Sequence, residues 1–208
     1  SSAASDVYKR QRCAWLICKG TRGKAVSFVL GIDTSNYTTS CALLDTADMS
    51  VRSCKKLLPV KQGERGLRQS DAVFHHTKQL PELMKQLFDK RYDLSAVGYS
   101  YAPRCAEGSY MPCFLVGENV AQAVSLACGA DLEKTSHQVG HILAALYSCG
   151  KLDMLSSDKP FAAFHVSGGT TDLLLCEPDK AKLINITQIG GSRDLKGCLL
   201  YTSDAADE

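Results

Sequence analysis

No apolar run in the 208-residue sequence is long enough to span a bilayer. A charged-then-apolar N-terminal segment of the secretory kind is missing too. These absences argue against a membrane-embedded or simply secreted class, and the expectation is a cytoplasmic protein with no membrane partner. The ten cysteines contain no Cys-x-x-Cys pair; scattered singly, they read as reduced residues rather than a disulfide frame or a zinc knuckle. Charge excess is small, with 24 basic against 22 acidic residues and a formal net charge of +2. Such a balance neither demands nor excludes a nucleic-acid partner.

Both ends read as foreign to the fold. Residues 1–11, Ser-Ser-Ala-Ala-Ser-Asp-Val-Tyr-Lys-Arg-Gln, back-translate into a transposase sequencing adaptor. Residues 198–208 open with Cys-Leu-Leu-Tyr-Thr-Ser-Asp-Ala-Ala-Asp, which back-translates into its reverse complement. Setting them aside leaves 22 basic and 18 acidic residues, an excess of +4. Residues 12–26 show no period and read as a leader. The expected division is a first lobe over 27–150 and the start of a second over 151–197.

From Ser27 the pattern becomes regular. Phe28–Asp33 is an apolar strand, Thr34–Thr38 a polar turn, Ser40–Leu44 a second strand and Val51–Leu58 a third. Ser70 and Asp71 are placed to cap a helix whose apolar positions run from Val73 to Phe88, with a kink or restart at Pro81. Leu94–Tyr101 is a strand, Phe114–Cys128 a helix rich in small residues, Asp131–Ser136 a short strand and Gln138–Cys149 a helix. The order is β-β-β-α-β-α-β-α. After Asp158 strands begin again at Ala162–Val166, Thr171–Cys176 and Lys182–Gln188. Thr38-Thr39-Ser40-Cys41-Ala42-Leu43-Leu44 echoes Thr170-Thr171-Asp172-Leu173-Leu174-Leu175, which suggests two copies of one unit, each offering a polar hairpin turn.

Two stretches carry chemistry. In Ser136-His137-Gln138-Val139-Gly140-His141, at 100° per residue, Val139, Ile142, Leu143 and Leu146 fall on one side and His137, His141, Ala144 and Ser148 on the other. Two imidazoles at i and i+4 can reach one ion; the plain alternative is a polar helix face. In Phe164-His165-Val166-Ser167-Gly168-Gly169-Thr170-Thr171, two glycines and several hydroxyls between strands can cradle phosphate oxygens. A simple hairpin turn is the alternative there. His75 and His76 read as helix surface, and Lys55, Lys56, Lys61, Arg65 and Arg68 as a loose basic segment, either a solvated face or a contact for nucleic-acid phosphates.

Gly31-Ile32-Asp33-Thr34-Ser35 opening one lobe and Val166-Ser167-Gly168-Gly169 opening the next resemble the actin-like ATPase superfamily. Within it, His137-x-x-Gly140-His141 ahead of Val-Ser-Gly-Gly resembles the tRNA adenosine threonylcarbamoyltransferase family, long labelled glycoprotease or O-sialoglycoprotein endopeptidase. The resemblance runs from Phe28 to Ser192 and implies an α/β, ribonuclease-H-like fold. It implies transfer of threonylcarbamoyl from its adenylate to the exocyclic amine of a tRNA adenosine next to the anticodon. His137 and His141 match the family's metal ligands. His165 stands where some members have a tyrosine ligand, and a further aspartate ligand is expected beyond Gly197. Ser167, Gly168, Gly169 and Thr170 match the nucleotide loop, and Asp33, Thr34 and Ser35 match the first-lobe turn near the phosphates. One divalent metal, iron or zinc, and ATP or an acyl-adenylate are the implied ligands. The implied partners are tRNA, a paralogous actin-like subunit and a small ATPase of the same pathway.

The chain departs from that pattern at Asn36-Tyr37-Thr38-Thr39, where the family often has Cys-Asp-Glu-Thr, and at Val139, often a glutamate. Thr170-Thr171 replace His-Thr or Asn-Thr, and Arg104–Pro112 replaces a Gly-Pro-Gly stretch. These features suggest a divergent paralogue. Three further readings stay open: a nucleotide-binding scaffold for an active homologue, a metallopeptidase and a small-molecule kinase. The peptidase lacks its general base, because Gln138 follows the first histidine. The kinase has no use for the histidine pair.

Overall fold

The computed structural model describes residues 27–35, 37–59, 67–166, 171–179 and 183–192. Five strands form one mixed sheet, β1 (Phe28–Ser35), β2 (Thr38–Asp45), β3 (Val51–Leu57), β4 (Leu94–Ala102) and β5 (Asp131–Ser136), in the order β3-β2-β1-β4-β5. The first three make an antiparallel meander, and β4 and β5 add in parallel beside β1. Parallel addition requires crossovers, supplied by helices α1 (Gln69–Leu87) and α2 (Phe114–Cys128). This strand order and direction is the ribonuclease-H-like arrangement. A third helix, α3 (His137–Ser148), and a 3-10 turn over Leu152–Ser156 lead to a second sheet of β6 (Phe161–Val166), β7 (Thr171–Asp179) and β8 (Leu183–Ser192), antiparallel throughout.

β1 is central, and its near-continuous apolar run follows from burial on both faces. With period two, Leu30 and Ile32 join a core with Leu80 and Leu83 of α1 and Val116 and Ala121 of α2. Val29 faces the other way, into a core with Val139, Ile142, Leu143 and Leu146 of α3. That second core also holds Leu174 and Cys176 of β7 and Ile184 of β8, so α3 packs between the two sheets. α2 lies close against β1: a Cβ built on Gly117 would stand 2.9 Å from Thr34 Oγ1.

Several expectations need correction. α1 starts at Gln69, with Arg68 in the cap position and no side-chain cap; Ser70 and Asp71 lie inside its first turn. Tertiary contact sets that start, since Gln69 Oε1 accepts from the Cys113 amide at 3.2 Å. The helix continues through Pro81 without a restart. Pro81 and Thr77, whose carbonyl lies four residues back, are both exposed, so the carbonyl freed by proline faces water. His76 is fully buried rather than on the surface, with Nδ1 2.8 Å from Thr39 Oγ1. The same hydroxyl donates to Gln79 Oε1 at 2.9 Å. Ala144 is buried as well, because the side of α3 opposite its core stripe meets protein rather than open solvent.

Cys54, Cys105, Cys128, Cys149 and Cys176 are free thiols. Burial pushes the Cys176 thiol up to about 11. Among the described residues no helix is long and apolar enough to cross a membrane.

Leu143 is fully buried in the core shared by the two sheets. Leu143→Ala should lower unfolding free energy by about 2–5 kcal/mol through lost transfer energy and a residual cavity. Denaturant unfolding read by circular dichroism measures this, and a loss under about 1 kcal/mol would contradict the packing described.

Candidate functional site

Ser136 ends β5 and caps α3, its Oγ accepting from the Val139 amide at 3.2 Å. The cap and the apolar stripe fix the rotation of α3, and that rotation turns His137 and His141 towards the end of β1. Asp33 is 3% exposed there. Its Oδ2 lies 2.8 Å from His137 Nδ1 and accepts from Ser35 Oγ at 3.2 Å. The carboxylate can only accept, so His137 carries its proton on Nδ1 and presents a lone pair at Nε2.

His141 Nε2 stands 2.7 Å from His137 Nε2, with ring centroids 4.2 Å apart. Two lone pairs cannot face each other at that distance, so a positive group must lie between them. In the metal-free pair with both rings neutral this is the His141 Nε2 proton; a divalent cation is another group that satisfies both nitrogens. With metal–nitrogen bonds of about 2.0–2.1 Å, modest separation of the rings admits an ion. A carboxylate on the far nitrogen of a ligating histidine is the usual supporting contact, since it fixes the tautomer and raises ligand basicity. His137 and His141 with Asp33 therefore fit a metal as a pair of donors. Among the described residues no group of three or more His, Cys, Asp or Glu side chains is arranged to hold an ion.

His165, on β6, approaches from the second sheet, its ring centroid 5.3 Å from that of His141. Burial pushes its imidazole below the ordinary histidine range; His137 and Arg104 push the same way and Asp172 opposes them. Asp172 Oδ2 lies 3.8 Å from His165 Nδ1, too far for a hydrogen bond.

The structure thus brings together His137, His141, His165, Asp33 and Ser35. Thr34, one residue out of phase, points to the opposite face of the sheet. Its hydroxyl donates to the Cys113 carbonyl at 2.9 Å and accepts from the Gly117 amide at 3.1 Å, pinning the start of α2. Ser167, Gly168, Gly169 and Thr170 lie outside the described residues, as do Lys61 and Arg65. Lys56 Nζ pairs with Glu82 at 3.0 Å on the surface. Sequence reading missed Arg104, Asp172 and Gln188 as neighbours of the histidines. The hairpin register pairs Asp172 with His165, so the turn alone held a signal for one of them.

No family model matches the chain. Among curated proteins, the tRNA N6-adenosine threonylcarbamoyltransferase of Aromatoleum aromaticum is 31% identical over 154 residues, covering 70% of this chain and 41% of that protein. That of Ralstonia pickettii is 29% identical over 151 residues, with coverages of 70% and 41%. That of Pyrobaculum calidifontis is 27% identical over 147 residues, with 69% and 39%. The chain spans between about a quarter and a half of the length of the curated relatives it matches. Among solved structures, YeaZ from Pseudomonas aeruginosa aligns over 80% of this chain and 66% of its own, at 15% identity and a TM-score of 0.44. Ethanolamine utilization protein EutJ from Carboxydothermus hydrogenoformans aligns over 99% and 67%, at 13% identity and a TM-score of 0.42.

The lowered His165 makes a signed prediction for the metal-free protein. Below the ordinary histidine value the unfolded chain takes up a proton that folded His165 refuses, so stability falls as pH drops through and below about 6.5. One proton contributes at most about 1.4 kcal/mol per pH unit. His165→Gln should flatten the melting-temperature profile between pH 7.5 and 5 relative to wild type. Identical slopes in the two proteins would show that His165 titrates normally.

Proposed function

We infer, for a chain that is a homologue of the tRNA N6-adenosine threonylcarbamoyltransferase family, that it takes part in threonylcarbamoyl transfer to a tRNA adenosine. The observation that carries this reading is the convergence of His137 Nε2 and His141 Nε2 at 2.7 Å, with the far side of His137 anchored on buried Asp33. Nothing in packing asks for two imidazoles at that point, because the core stripe of α3 is complete without them. One divalent ion held by the pair, iron or zinc, would supply Lewis-acid polarisation of the acyl carbonyl.

The chain's own residues do the rest. Asp33 accepts from His137 Nδ1–H, so the neutral ring presents its lone pair at Nε2. Ser35 satisfies the same carboxylate oxygen and limits its rotation. Thr34 serves the site indirectly, by tying β1 to α2 from the opposite face. Ser167, Gly168, Gly169 and Thr170, which follow His165 in sequence, are the residues assigned to the phosphates of the acyl-adenylate or ATP. His165 is assigned as the third imidazole of the cluster. The acceptor is the exocyclic amine of the tRNA adenosine, with Lys55, Lys56 and Arg68 on the side assigned to tRNA phosphates.

Purified protein, loaded with iron or zinc and supplied with threonylcarbamoyl-adenylate and tRNA, should form modified adenosine. His137→Ala and His141→Ala should each reduce metal affinity and transfer about 100-fold or more, since loss of a ligand exceeds the 10–100-fold cost of losing its support. Elemental analysis and mass spectrometry of digested tRNA read the two effects. Bound metal unchanged in the double variant would refute the assignment. Adenylate binding without any transfer would instead favour a scaffold that retains the nucleotide cleft.

A further inference from the structure

The stretch between β4 and α2 departs from the sequence of the resembled family, and it sends one side chain across to the second sheet. Arg104 Nη2 donates to Asp172 Oδ2 at 2.7 Å and Nη1 to Gln188 Oε1 at 3.3 Å. Gln188 Nε2 donates in turn to Asp172 Oδ1 at 2.9 Å. The three side chains close a ring in which each carboxylate oxygen has a donor. Asp172 is buried, its side chain 4% exposed, while Arg104 keeps 39%.

His165 sits directly opposite Asp172 in the β6–β7 register. Its Nδ1 is buried and has no hydrogen-bond partner among the described residues. The nearest carboxylate oxygen, 3.8 Å away, is the one Arg104 holds. A proton on that nitrogen would be a buried donor without an acceptor, beside a guanidinium that repels it. The lone pair is the lower-energy occupant, which puts the proton of neutral His165 on Nε2. A histidine in that form has no Nε2 lone pair for a cation.

We propose that Arg104, Asp172 and Gln188 form a clasp that holds Asp172 off His165 and fixes His165 as the Nε2–H tautomer. Opening the clasp lets Asp172 Oδ2 accept from Nδ1–H, and Nε2 then becomes a third lone pair beside His137 and His141. The proton leaves Nε2 and arrives at Nδ1 by exchange with water, so the net charge of the ring is unchanged. Arg104 and Asp172 are positioning residues, acting through His165. The opened state reproduces on the second hairpin what Asp33 does for His137 on the first. Asp33, near the turn of one hairpin, accepts from His137 of α3, and Asp172, near the turn of the other, stands opposite His165. The third-donor half of the proposal rests on the metal reading of His137 and His141; the tautomer half does not.

Nitrogen-15 correlation spectra of metal-free protein at pH 8 read the tautomer directly. Wild type should show His165 protonated on Nε2, Arg104→Gln should show it on Nδ1, and Arg104→Lys should keep the wild-type pattern by preserving the ion pair. Zinc titration should find Arg104→Gln binding about tenfold or more tighter, as expected when a supporting carboxylate is gained. The double variant Arg104→Gln, Asp172→Asn should return to the wild-type affinity. Protonation on Nδ1 in wild type overturns the clasp and requires no variant to fold. An unchanged tautomer in a folded Arg104→Gln protein overturns it equally. A tautomer shift without tighter zinc binding overturns the third-donor half while leaving the tautomer control in place.

Discussion

The contact on which the site depends is the hydrogen bond from His137 Nδ1 to Asp33 Oδ2, 2.8 Å long, between the first turn of α3 and the end of β1. A carboxylate buried to this degree is costly without donors, and Asp33 accepts from His137 and Ser35. Satisfying Asp33 decides the tautomer of His137, and the tautomer decides that Nε2 faces outward as an acceptor. One turn later His141 reaches that lone pair. A polar requirement at the end of one strand thereby becomes a pair of convergent imidazole nitrogens.

That contact is possible because β1 is packed on both faces. Alternation sends Leu30, Ile32 and Thr34 towards α1 and α2, and Val29, Asp33 and Ser35 towards α3. Thr34 locks the first side through the Cys113 carbonyl and the Gly117 amide, at a spacing that leaves no room for a Cβ on Gly117. Val139, Ile142, Leu143 and Leu146 lock the second, in a core shared with β7 and β8. The histidine pair is thus held from the first sheet by Asp33 and approached from the second by His165. The second approach is governed by the Arg104 clasp, which joins the β4–α2 stretch to β7 and β8.

Much of this was legible in the sequence, because period is a local property. Element order follows the apolar pattern throughout; Phe114–Cys128 and Asp131–Ser136 begin and end where that pattern places them. The turn angle of α3 separated the histidines from the core stripe. What failed to show was set by partners distant in sequence. His76 reads as surface until β2 brings Thr39 against it. Pro81 reads as a break until the exposure of its turn is known. Arg104 reads only as a departure from a family pattern, since nothing local says that it crosses to another sheet. That Asp33 meets His137 and that Asp172 stands opposite His165 needed α3 packed on β1 and the β6–β7 register. The coarse match to the curated transferases agrees with the motif pair that suggested them, at identities of 27–31% over about 70% of the chain for the relatives cited.

The central claim, that Asp33 and the rotation of α3 aim His137 and His141 at a single ion, is tested most directly by anomalous diffraction from crystals of the protein loaded with zinc. The account predicts a peak within about 2.0–2.1 Å of both Nε2 atoms, with the His137–Asp33 hydrogen bond intact. A peak elsewhere, or the two imidazoles still hydrogen-bonded to each other with no metal between them, would contradict it.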